Sequence, residues 1–142
     1  MIVLTTKEWL MRGWKLNREI DKLIEAREAY RAMLTSVTAN PSGDVVQSTK
    51  DPHKFDRLAE YDDALGADIA EYDHIMWEIQ TTIHKVRDSR YRLLLLDRYT
   101  LFKTWEQIAV DECYNIRHVW RLHGEALKAA EPIVKERIHE EL

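Results

Sequence analysis

Residues 104–123 read TWEQIAVDECYNIRHVWRLH. In this stretch Arg117 and Arg121 stand four residues apart, with Trp120 beside them. At that spacing they share one face of a helix. Two guanidinium groups there can bond guanine edges bidentately or grip phosphates. Trp120 can lie against a sugar or a thymine methyl, or pack on a neighbouring helix. Asn115 is a good N-cap for a helix that starts at Ile116. Val119 and Leu122 follow at core spacing and leave Ile116, Arg117, Trp120, Arg121 and Gly124 facing outward. That is the face a recognition helix turns to the major groove, N-terminal residues nearest the bases. The competing reading is a buried helical hairpin with solvated charges. His118 and His123 add positive charge below their pKa, though His123 is expected to pack or cap.

Other constellations point to chemistry less well. Glu-x-x-His occurs at Glu71/His74 and at Glu136/His139, which is half of a di-iron bundle signature. The heptad register puts Glu71 and His74 on water-facing positions, so no metal or cofactor is expected. The segment SGDVVQSTKDPH holds Asp44, Ser48, Asp51 and His53. No nucleophile elbow or oxyanion hole accompanies them, and loop composition explains these residues. Cys113 has no nearby base within the motif and reads as a small packing residue. An enzyme is not expected.

The elements that must position the arginines are legible around them. Thr104-x-x-Gln107 is a capping box, so a helix begins there. Ala109 is the small residue that a closely crossing second helix needs. Cys113 stands in the turn where glycine is usual, and a cysteine takes positive φ only at a cost. Glu112 stands where an apolar residue usually packs, and Tyr114 reads as the apolar plug of the turn. Upstream, positions 9, 13, 16, 20, 23, 27, 30, 34 and 37 alternate in steps of four and three. Positions 55, 58, 62, 65, 69, 72, 76, 79, 83 and 86 do the same in steps of three and four. Such apolar seams of period 3.5 are the coiled-coil pattern. Pairing Val37 with Phe55 brings the two charged breaks, Arg27 and Asp62, into adjacent layers as a register-setting ion pair. Between the seams lies TANPSGDVVQSTKDP, with Asp51-Pro52 as an N-cap and first helical residue. It is long for a helical connection and is expected to fold back and pack, with binding of a partner as the alternative. A break is expected near Asp88-Ser89, and a last helix near Pro132.

Composition is consistent with helices. The 142 residues include only 4 Gly and 3 Pro, with 32% charged side chains and a formal charge of −4. That charge is uneven. Residues 85–128 hold nine basic and six acidic side chains, whereas residues 50–84 hold three and nine. A basic block beside an acidic one is expected of a nucleic-acid module joined to something else. A single cysteine, no secretory signal pattern and no membrane-length apolar run lead to the expectation of a cytoplasmic protein with no membrane partner.

RYRLLLLDRYTLFKTWEQIAVDECYNIRHVWRLHGEALK resembles region 4 of sigma-70-type factors, through Arg98-Tyr99, Trp105, Ile108-Ala109, Val119, His123 and Ala126-Leu127. SVTANPSGDVVQSTKDPHKFD is similar to the loop of a family of Gram-positive phage and prophage proteins. There a long helical hairpin precedes a sigma-region-4-like helix-turn-helix, an organisation related to ArpU- and RinA-type activators. The resemblance implies a DNA-binding transcriptional regulator in which Arg117 and Arg121 read bases or flanking phosphates. It also implies that Arg98, Lys103 and the Asn115 helix terminus grip the backbone.

The resulting expectation is an all-α protein. A long antiparallel, coiled-coil-like hairpin covers residues 1–88, with its loop at about 38–53. A three-helix, sigma-region-4-like helix-turn-helix covers 89–130, and a helical tail covers 131–142. The partners are double-stranded DNA and RNA polymerase, with dimerisation through the hairpin. The alternative is an interaction module that docks on polymerase or a sigma factor without reading DNA.

Overall fold

The computed structural model describes residues 4–38, 53 and 55–141. Among them are six helices and no strand: α1 (Thr6–Leu10), α2 (Arg12–Thr38), α3 (Asp56–His84), α4 (Ser89–Tyr99), α5 (Trp105–Asp111) and α6 (Ile116–Glu140). The regular structure of the described residues is all helical, as composition and periodicity predict. The expected Asp51-Pro52 cap and the packing of the SGDVVQST segment lie outside the described residues.

The helices divide into two compact units, one of Leu16–Glu71 and one of Met1–Lys15 with Tyr72–Leu142. The division does not fall at residue 88. Trp9 and Leu10 of α1 are buried and α1 packs on α6, so the N-terminus belongs with the last helices.

In the Leu16–Glu71 unit, the seam expected on α2 is the inward face. Leu16 and Ile20 are buried, and Leu23, Arg27, Tyr30 and Leu34 are half-buried. On α3 the expectation needs correction. Leu58, Tyr61, Leu65 and Asp68 lie inward, whereas Asp62 is exposed and Ile69 is 52% exposed. Leu58 and Leu65 belong to both registers. The second string of the seam is shifted back by one residue. The shift sets the Tyr61 ring 6.0 Å from that of Tyr30. Asp62 is left on the flank, where Oδ1 meets Arg27 Nε at 2.6 Å. The predicted ion pair forms, but with Asp62 on the exposed edge rather than within the seam.

In the other unit α6 is the hub, with α1, α4 and α5 all packed on it. Its buried stripe is Val119, Leu122, His123, Ala126, Ala130 and Val134. Facing side chains include Leu94, Leu95 and Tyr99 of α4 and Ile108 of α5. The part of α3 in this unit buries Ile75, Met76, Ile79, Thr82 and Ile83, a broader stripe than a two-helix seam needs. Gly13 is buried against it, and a Cβ there would lie 2.5 Å from Met76 Sδ. The separate helix expected from Pro132 does not exist. Pro132 sits inside α6, exposed, and the helix runs through it. A proline inside a helix removes one backbone hydrogen bond. Buried Ala130 and Val134 on either side, and an Arg137 Nη2 to Thr81 Oγ1 bond of 2.7 Å, hold the helix in place across it.

Candidate nucleic-acid interface

α5 begins on the predicted capping box. Thr104 Oγ1 accepts from the Gln107 amide at 3.1 Å, and Gln107 Oε1 accepts from the Thr104 amide at 2.8 Å. Its far end is closed by a Schellman motif. The Tyr114 amide donates to the Ala109 carbonyl at 2.9 Å, and the Cys113 amide donates to the Val110 carbonyl at 3.3 Å. The residue at the left-handed position of that motif is Cys113, with φ of 57°. Cysteine therefore does adopt the turn that glycine usually makes. The strain is about 1 kcal/mol, small beside the packing of α5 and α6. Asn115 then caps α6, its Oδ1 accepting from the His118 amide at 2.8 Å.

The turn and the first turns of α6 form an open groove of about 710 Å³, lined by Cys113, Tyr114, Asn115, Ile116, Arg117, His118 and Arg121. The Tyr114 ring stands edge-on to His118 at 4.5 Å. Arg121 Nη2 bonds His118 Nδ1 at 2.7 Å, which aims the guanidinium along the helix face. Arg117, Trp120, Arg121, Gly124 and Lys128 are all exposed, with Trp120 at 54%. Their spacing of three or four residues puts them on one stripe. Asn115 and Ile116 border it, exposed and half-buried.

Arg98 and Lys103 are placed differently from the other five predicted contacts. Arg98 lies 4.2 Å over the Trp105 ring and donates to the Lys103 carbonyl at 2.9 Å. Lys103 Nζ sits 2.8 Å from Asp111 and 3.1 Å from Asp97, and these hydrogen bonds hold its pKa above the ordinary lysine value. A lysine between two carboxylates carries no uncompensated charge to offer a phosphate. Both side chains brace the α4–α5 connection instead. Glu112 turns toward the same cluster. Burial, and then the neighbouring Asp97 carboxylate, push its carboxyl above the usual range. It stands beside Asp97, not on the arginine face.

Behind the stripe, His123 packs as expected. Its Nε2 and the Tyr99 hydroxyl share a hydrogen bond of 2.7 Å, and its ring meets Trp105 edge-on at 4.6 Å. Burial, with Lys7 and Arg98 nearby, lowers its pKa to about 4, so the ring is neutral. Burial raises Tyr99 to about 12. This cluster ties α4, α5 and α6 together and sets the azimuth at which α6 presents its arginines.

Sequence reasoning missed Lys128 and the His118–Arg121 bond. Lys128 continues the 117, 121, 124 spacing and was legible as such. The histidine bond depends on rotamers and was not. Glu71, His74, Glu136 and His139 are exposed, and His74 pairs with buried Glu78 at 3.0 Å. Among the described residues no group of three His, Cys, Asp or Glu could hold a metal ion. No described helix is long and apolar enough to cross a membrane. Compared with known proteins, the chain finds no matching family model, curated protein or solved structure.

Proposed function

We propose that the chain is a phage-type DNA-binding transcriptional regulator, and that α5, its turn and α6 act as a sigma-region-4-like helix-turn-helix on promoter or operator DNA. One observation carries this reading. Arg117, Trp120 and Arg121 are exposed together on the first two turns of a helix that starts from a Schellman turn and an Asn115 cap. In a major groove such a helix aims its first turns at base edges. Arg117 and Arg121 then bond guanine O6 and N7 or adjacent phosphates. The Asn115 side chain stays on the His118 amide and holds the helix end in position. Trp120 supplies apolar contact to a sugar or thymine methyl. The α2 and α3 segments of Leu16–Glu71 are read as an antiparallel hairpin that mediates dimerisation or polymerase contact.

Fluorescence anisotropy with duplexes selected from a phage genome tests the reading. Binding through about three phosphates gives a log–log salt slope near −2.7. The double substitution Arg117→Ala and Arg121→Ala should abolish specific binding with an unchanged circular dichroism spectrum. Undiminished binding by that variant rules out the recognition-helix assignment. A second reading, docking on polymerase or a sigma factor, is favoured by Val110 at 76% exposure and Trp120 at 54%. It requires binding to the protein partner and none to duplex DNA.

A further inference from the structure

We propose that Gly124 is the point where α6 comes closest to the sugar-phosphate backbone, and that the contact stripe extends past it to Lys128. This rests on the DNA-binding reading and specifies how the helix lies. Gly124 is exposed in the interior of α6, and a Cβ added there meets nothing within 4 Å. Packing within the chain therefore gives no reason for glycine, and glycine in a helix interior is less stable than alanine. A bound backbone gives one, because close approach is what a missing Cβ allows.

The neighbours identify that backbone as a polyanion. Arg117, Arg121 and Lys128 flank Gly124 on the exposed stripe. Glu125, the carboxylate within these turns, accepts the Tyr91 hydroxyl at 3.2 Å to one side. Further along, Glu131 pairs with Lys135 at 2.9 Å, so the uncompensated positive stretch ends there. A helical side chain covers the surface one turn toward the N-terminus. The absent side chain at 124 therefore leaves a notch beside Trp120 and Arg121. A phosphate ridge fits that notch while the first turns reach the bases, and Lys128 meets the next phosphate along.

The test is a pair of measurements that move in opposite directions. Gly124→Ala should raise Tm by about 3 °C. The same variant should weaken binding to the selected duplex by about tenfold, and the bulkier Gly124→Leu should weaken it further. Gly66→Ala is the control. Gly66 is also helical, exposed and clear of contacts. That change should raise Tm without altering affinity. Lys128→Ala should make the salt slope about 0.9 units less steep. If the wild-type chain binds the duplex and Gly124→Ala binds it equally well, the close approach is wrong and the DNA reading stands. If the wild-type chain binds no duplex, both fall together.

Discussion

Cys113 shows how one residue governs where the arginines point. The turn between α5 and α6 needs a left-handed residue, and Cys113 takes φ of 57° to supply it. Glycine there avoids the Cβ strain but frees the unfolded chain as well, so the two effects partly offset. Cys113→Gly should stabilise the protein by no more than about 0.5 kcal/mol in urea denaturation. A destabilised variant would show that the exposed thiol contributes packing that outweighs the strain. Arg98 and Lys103 make the complementary point. Residue type qualifies both as phosphate ligands, yet an indole face engages one and two carboxylates engage the other. Composition counts charges, and only neighbours decide which are already compensated.

At the scale of elements, the heptads of α2 and α3 carry different information. On α2 the seam is unambiguous because one string of positions is apolar. On α3, Leu58 and Leu65 fit two registers, and the string completing the seam is either Tyr61 and Asp68 or Asp62 and Ile69. Hydrophobicity alone favours Ile69, and the structure uses Tyr61. The choice follows from the partner, since in this register the Tyr61 ring meets Tyr30 while Asp62 still reaches Arg27 from the flank. Leu65→Asp should therefore cost about 3 kcal/mol or more by burying an unpaired charge. Ile69→Asp, at a half-exposed position, should cost under about 1 kcal/mol. Equal losses for the two variants in thermal denaturation would restore the other register. Pro132 makes the same argument on α6. Local rules end a helix there, whereas flanking burial carries it through.

Across the whole molecule, charge is divided by region, so an acidic chain still carries a basic face of the kind the proposed DNA contact needs. Residues 50–84 hold nine acidic side chains to three basic, while the stripe of α6 from 117 to 128 is basic. The same hub sets a pH dependence. His123 titrates near 6.5 when unfolded and at about 4 when folded. Between those values the unfolded chain binds the extra proton. Stability from this ring is complete above about pH 6.5 and is lost as pH falls toward 4. The loss is on the order of 2 kcal/mol, since solvent reaches part of the ring. In an NMR titration the His123 ring protons should stay at their neutral shifts at pH 5.5. Movement centred near 6.5 would refute the buried, Tyr99-bonded ring.

The amino-acid sequence by itself determined the helical class, the caps at Thr104 and Asn115, the α2 seam and the spacing of the exposed arginines. These follow from local rules: propensity, capping chemistry and a fixed 3.6-residue period. Tertiary structure alone decided the α3 register, the continuity of α6 past Pro132, the inclusion of α1 with the last helices, and the internal use of Arg98 and Lys103. Each of those depends on which side chains meet across helices. Such contacts join residues far apart in the chain, where no spacing rule applies.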